Sequence, residues 1–170
     1  SINLVNQSIE NSHKTDICLF SRQRGELIDF MRKGSSKAYN ESSLISRTDV
    51  NLSEKQRRVL VANSVGLWAE DERNYARYSI SVIAEDGNEK FSNFKSQGAM
   101  GGCELFRDCE IESVATELVR DSLVMLKAEN CPAGKMPVVL CPEIGGVLFH
   151  EACGHSLEAT AVAKNASVFA

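Results

Sequence analysis

The chain has 170 residues, 43% of them hydrophobic and 25% charged, which is enough for one domain with its own core, or two small ones, and excludes a large multidomain enzyme. Its 19 Lys and Arg stand against 23 Asp and Glu, a formal net charge of −4, which argues against direct nucleic-acid binding through phosphates. No apolar run approaches the roughly 18 residues of a membrane span and no signal peptide is visible behind Ser1, so the expectation is a soluble, intracellular chain with no membrane contact.

Apolar residues at Ile17, Phe20, Leu27, Ile28 and Met31 predict a helix over 17–31 that ends near Gly34, with a polar loop over 35–43. From Leu44 the apolar period changes to two. Short strands are expected over 44–50, 58–62 and 65–69, with a turn at Asn63-Ser64 between the last two. Tyr78, Ile80, Val82 and Ala84 then alternate with Ser79, Ser81 and Ile83. Asp86-Gly87-Asn88 supplies residues that tolerate positive φ, and 90–94 returns as the partner strand of a hairpin. Gly98-Ala99-Met100-Gly101-Gly102 lacks the Lys-Ser/Thr of a phosphate-binding loop, so it reads as a strand end that needs close backbone approach.

Ile111, Val114, Ala115, Leu118, Met125 and Leu126 mark a long amphipathic helix from about 108 to 129. Pro132, Gly134 and Pro137 break the chain. Val138-Val139-Leu140-Cys141 reads as a short buried strand, ended by Pro142, and Gly145-Gly146 leads into a last helix. A β-type run at 167–170 looks interrupted, and both ends look cut, so a segment of a longer protein is expected. The six cysteines contain no C-x-x-C pair, and they are expected to be reduced and mostly buried. The fold class is α+β: a mostly antiparallel sheet with packed helices, and a site helix near the C-terminal end. Residues 1–57 hold a helix and the first strand or strands. Residues 58–170 form an α/β part that ends in the site helix.

Chemistry concentrates in His150-Glu151-Ala152-Cys153-Gly154-His155, which holds two of the three histidines. Neutral imidazole is the commonest zinc ligand, and a carboxylate beside one can take a proton from a water that the metal acidifies. The spacing is H-E-x-x-x-H rather than H-E-x-x-H. On a regular α-helix, residues five apart diverge by about 140°, against about 40° for residues four apart. The two histidines can share a metal only if the helix is widened by a turn closed through i→i+5 bonds, a distortion common at functional sites. Gly154 would relieve crowding at that distortion. Other readings stay open on spacing alone: His150 as a core histidine behind Val147-Leu148-Phe149, His155 as a surface residue beside Glu158, or Cys153 as a nucleophile.

At these residues the sequence resembles a known family. Met136-Pro137-Val138-Val139-Leu140, followed by the run from Gly146 through His150-Glu151 and His155 to Glu158, looks like the signature of the TldD/PmbA family, and of its TldD-type member in particular. Weaker similarity extends upstream through Ala62-Asn63-Ser64-Val65-Gly66 and 78–85, so that it covers roughly 58–169, and the resemblance implies that 58–170 belong to a TldD-like N-terminal domain. The resemblance implies a cytoplasmic zinc-dependent peptidase that cuts unfolded peptides, works as a homodimer or with a PmbA-like subunit, and bears the older name of modulator of DNA gyrase. It implies His150 and His155 as metal ligands, Glu151 as general base, and a third ligand, a cysteine, downstream in a β-rich C-terminal half that these residues do not include. Cys153 stands where the family usually has an aliphatic residue, and Ser156 replaces a common glycine. With two imidazoles alone the zinc site is incomplete, so the 170-residue chain is expected to be inactive by itself. The alternative is a non-catalytic interaction subunit, associated with gyrase or with a toxin–antitoxin pair.

Overall fold

The computed structural model describes residues 3–7 and 15–169; Ala170, the last residue of the run expected at 167–170, lies outside them. The contacts divide the chain into two compact units, Ser1–Glu129 and Asn130–Ala170.

The first unit is a four-stranded sheet with helices packed on it. Its strands are β1 (Val5–Asn6), β2 (Ile45–Ala62), β3 (Leu67–Asp86) and β4 (Glu89–Ala99); its helices are α1 (Arg24–Glu41), α2 (Glu104–Arg107) and α3 (Ile111–Leu126). β3 is the central strand. It pairs antiparallel with β2 along most of its length and with β4 over Ala76–Asp86, while β1 joins it in parallel at Leu67 and Trp68. The sheet is therefore mixed, within the expected α+β class. Alternation drives the packing: Tyr78, Ile80, Val82 and Ala84 are buried on one face of β3, against Ile111, Ala115, Leu118 and Val119 of α3 and Ala38 of α1. Each large side chain buried in this way contributes roughly 1.5–3 kcal/mol. Phe30 closes one end of this core, its ring 6.0 Å from that of Tyr78 and 5.8 Å from that of Phe106.

Several boundaries differ from expectation, each for a physical reason. The first helix begins at Arg24, not at 17, because residues 15–20 are held in an irregular strap of bends and a turn. Ile17 N–H donates to Glu104 Oε2 at 2.9 Å and Ile17 carbonyl accepts from Cys103 N–H at 3.0 Å. Phe20 takes φ 60° while its N–H donates to Glu54 Oε1 at 3.2 Å. The helix then runs through Gly34 to Glu41. A Cβ on Gly34 would lie 2.7 Å from Ile111 Cγ1, so this glycine marks the contact between α1 and α3 rather than a stop. The segment 35–41, expected as loop, stays helical with Ala38 fully buried and Lys37 bridged to Glu41 at 2.6 Å.

The strands expected at 44–50 and 58–62 are one strand, β2. Its polar middle is carried by the ladder to β3, for example Asn51 opposite Ser79 and Gln56 opposite Asn74, because the ladder bonds are made by backbone groups that every one of these residues has. Positions 57 and 58 both lie inside it. The turn at Asn63-Ser64 is present: Asn63 Oδ1 accepts from Val65 and Leu67 N–H, both at 3.1 Å, and Gly66 supplies φ 99°. The β3–β4 hairpin is as expected, with Gly87 at φ 61° and Ala84 opposite Phe91. The close approach expected in the glycine-rich bend falls on Gly102, where a Cβ would sit 1.9 Å from Ile17 O. The helix expected over 108–129 is α3, a few residues shorter at each end, and α2 is a separate turn of helix that precedes it.

The second unit holds α4 (Pro142–Phe149), a π-type turn (His150–Gly154), a 3-10 turn (His155–Leu157) and α5 (Ala159–Ala163). The buried strand expected at 138–141 is absent: Val139 is 96% exposed, and no described strand pairs with this segment. α4 starts at Pro142, which suits the first helical position because its missing N–H needs no partner there. Gly145-Gly146 therefore lies within the helix. Residues 168–169 form a turn rather than a strand, and Ser167 Oγ donates to the carbonyl of Ser156. All six cysteines are free, as expected, but only Cys103 is buried, while Cys18, Cys131 and Cys141 are exposed. No described helix is long and apolar enough to cross a membrane.

Candidate metal centre

The helical register changes immediately after Phe149. His155 N–H donates to the carbonyl of His150, an i→i+5 bond that widens the helix by one residue over His150–Gly154. This is the distortion that the spacing requires if both histidines are to face one point. The two imidazoles come together with ring centroids 4.4 Å apart and planes at 70°. Glu151 Oε2 lies 3.7 Å from His155 Nε2. One ligand atom from each of His150, Glu151 and His155 can be chosen so that all lie within 4.8 Å of one another.

Two imidazoles and a carboxylate are a donor set that suits zinc, and two nitrogens leave coordination positions for other groups. All three residues are exposed, so His150 is not a core histidine. The reading of His155 as a residue beside Glu158 does hold in the structure: His155 Nδ1 and Glu158 Oε1 are 2.6 Å apart. Hydrogen bonding to Glu158, with the charges of Glu158 and then Glu151, raises the His155 pKa above its ordinary value. The contact leaves Nε2 as the nitrogen facing Glu151 and makes Glu158 part of the site. A sequence reading could find Glu158 only as a neighbour three residues on, because its reach back depends on the chain leaving the helix at 158.

Gly154 plays a smaller part than expected. Its φ of −58° is ordinary helix, and a Cβ there would rest 3.5 Å from His150 Nδ1, a normal contact. The widened turn does not need a glycine at this position. Cys153 is half-buried and free.

Comparison with known proteins places this geometry in a context. The family models described as the central and C-terminal domains of PmbA/TldA metallopeptidases match residues 21–126 and 133–170. A metalloprotease TldD homolog of Haemophilus influenzae is 35% identical over 156 residues, which is 89% of this chain and 32% of that protein. A zinc metalloprotease TldD homolog of Saccharolobus solfataricus is 33% identical over 91 residues, covering 54% of this chain and 20% of that protein. Among solved structures, a Thermotoga maritima protein described as a candidate modulator of a DNA gyrase superposes with a TM-score of 0.59 at 17% identity, over 71% of this chain and 27% of that one; at this identity the likeness concerns the fold alone. The chain thus spans about a third of the length of the Haemophilus relative, 32%.

Proposed function

The chain belongs to the PmbA/TldD family of metallopeptidases, and from that premise we propose that it is part of a zinc-dependent peptidase subunit that cleaves unfolded peptides, with its metal held by His150 and His155. The observation that carries this reading is the π-type turn, which brings His150, Glu151 and His155 to one point. The third ligand is a cysteine outside these 170 residues, and the chain alone is inactive. The active assembly is a dimer, with a like or a PmbA-like subunit, in the cytoplasm.

When bound, zinc supplies Lewis acidity that lowers the pKa of a water and polarises a peptide carbonyl. The protein groups do the rest. His150 and His155 present neutral nitrogens. Glu151, exposed and beside His155 Nε2, takes a proton from the attacking water and returns it to the departing amine nitrogen. The exposure of all three side chains gives an extended, unfolded substrate direct access.

Zinc analysis of the full-length gene product and of the 170-residue chain tests the reading. About one zinc per full-length chain, lost in His150→Ala and weak in the shorter form, is the result expected for a site completed by a third ligand. Absence of zinc from both forms returns the motif to a surface cluster and leaves the interaction-subunit alternative.

A further inference from the structure

Glu158 sits where the chain leaves the 3-10 turn and enters α5. Short polar side chains at such an N-cap, Asp among them, turn an oxygen forward onto the free N–H groups of the helix they precede. Glu158 does not: its side chain makes no capping bond. Its main chain is nevertheless anchored. The carbonyl accepts from Ala161 N–H at 2.9 Å and Val162 N–H at 3.0 Å, and the N–H donates to His155 O at 3.4 Å. With the backbone fixed at φ −62° and ψ 136°, the carboxylate reaches back and places Oε1 2.6 Å from His155 Nδ1. The intervening turn is latched from the other side by Ser167, whose hydroxyl donates to Ser156 carbonyl and accepts from Phe169 N–H at 3.0 Å.

We propose that Glu158 is a positioning residue for the metal centre, which acts through His155 and does not itself bind the metal. A carboxylate can only accept, so Nδ1 must carry the proton in this contact, and a neutral His155 then has its lone pair on Nε2. That nitrogen is on the side of Glu151, 3.7 Å from its Oε2, and the ring stands 4.4 Å from that of His150. Glu158 therefore selects the tautomer that can ligate and fixes the ring in the plane that meets the other imidazole. Carboxylates behind metal-bound histidines do this generally, and their loss costs about 10–100-fold in metal affinity. The inference rests on the reading of His155 as a ligand, but it predicts effects that a simple surface ion pair would not have.

The test uses the full-length gene product. Zinc affinity is measured by chelator competition, and the His155 tautomer by 15N NMR of the metal-free protein. In Glu158→Ala, zinc affinity is expected to fall about 10–100-fold while the proton on the His155 ring redistributes from Nδ1 toward Nε2. Glu158→Gln retains a carbonyl oxygen that accepts from Nδ1, so it recovers part of both. An unchanged affinity in Glu158→Ala, or a tautomer that does not move, overturns the proposal. His155→Ala separates the two levels of failure. If it abolishes zinc binding while Glu158→Ala has no effect, only the positioning role falls; if it leaves zinc binding intact, the ligand assignment falls and takes the positioning role with it.

Discussion

The two units send their apolar side chains in opposite directions. In the first, Ile80, Val82, Leu118 and Val119 are almost wholly enclosed between the sheet and its helices. In the second, Ile144, Val147, Leu148 and Phe149 of α4 are all more than half exposed, and Gly145 is the only residue among those described that is buried. Core burial stabilises the sheet unit throughout. The helices of the second unit rest on short-range bonds such as that from His155 N–H to His150 O, and helices this short are marginal on local bonds alone. Substitutions in the first unit should therefore read out as stability, and substitutions at the site as chemistry.

The sharpest separation comes from Glu151→Gln in the full-length gene product. Peptide hydrolysis should fall by about 10²–10⁴-fold, the range for loss of a general base, while zinc content and melting temperature stay where they were. Equal loss of zinc and activity would instead make Glu151 a ligand. Leu118→Ala gives the reciprocal result: a destabilisation of about 2–5 kcal/mol by denaturant titration, the usual cost of emptying a fully buried leucine site, with zinc affinity of the folded fraction unchanged. A drop in zinc affinity in that variant would break the division of labour between the units.

What could be read in advance follows the same division. Period-two alternation at Tyr78–Ala84 encodes burial directly, and Gly87 encodes the turn, so the β3–β4 hairpin was legible. The H-E-x-x-x-H spacing was legible for a different reason: residues five apart do not share a face of a regular α-helix, so two histidines at this spacing can meet one metal only across a widened turn, and the structure has one. The polar half of β2 was not legible, because its pairing with β3, such as Asn51 with Ser79 and Arg57 with Arg73, is decided by backbone bonds to a strand further along the chain. Gly34 misled for a similar reason, since only the position of Ile111 reveals that the glycine admits a helix instead of ending one. The apolar run at 138–141 has the composition of a buried strand, yet no described strand lies beside it. Composition sets what a segment favours, and pairing needs a partner.

Two glycine substitutions make a smaller comparison. Gly102→Ala drives a Cβ into Ile17 O at 1.9 Å and Thr15 Cγ2 at 2.4 Å, so the strap must lift and its bonds to Cys103 and Glu104 must stretch. A loss of about 1–3 kcal/mol is expected. Gly154→Ala meets only an ordinary 3.5 Å contact with His150 Nδ1 at helical φ, and it gains up to about 1 kcal/mol in helix propensity. Its stability should stay level or rise, and zinc affinity should be preserved. If Gly154→Ala unfolds the second unit or abolishes zinc binding, the widened turn depends on glycine after all.

The smallest expected effect concerns protons at His155. Hydrogen bonding to Glu158 and the nearby carboxylate charges raise its pKa in the folded chain above the ordinary 6.5. The imidazolium–carboxylate pair therefore stabilises the native state fully below that ordinary value, and the contribution fades as pH rises through the raised one. The side chain is exposed, so the change in melting temperature across this window should be slight. Zinc runs the other way, because a metal needs the neutral ring: uptake should weaken as pH falls through the raised pKa. An NMR titration of the metal-free protein gives the midpoint directly, and Glu158→Gln should bring it down toward 6.5. A midpoint that stays put in Glu158→Gln would assign the shift to Glu151 instead, and would show that the 2.6 Å contact does not persist in solution.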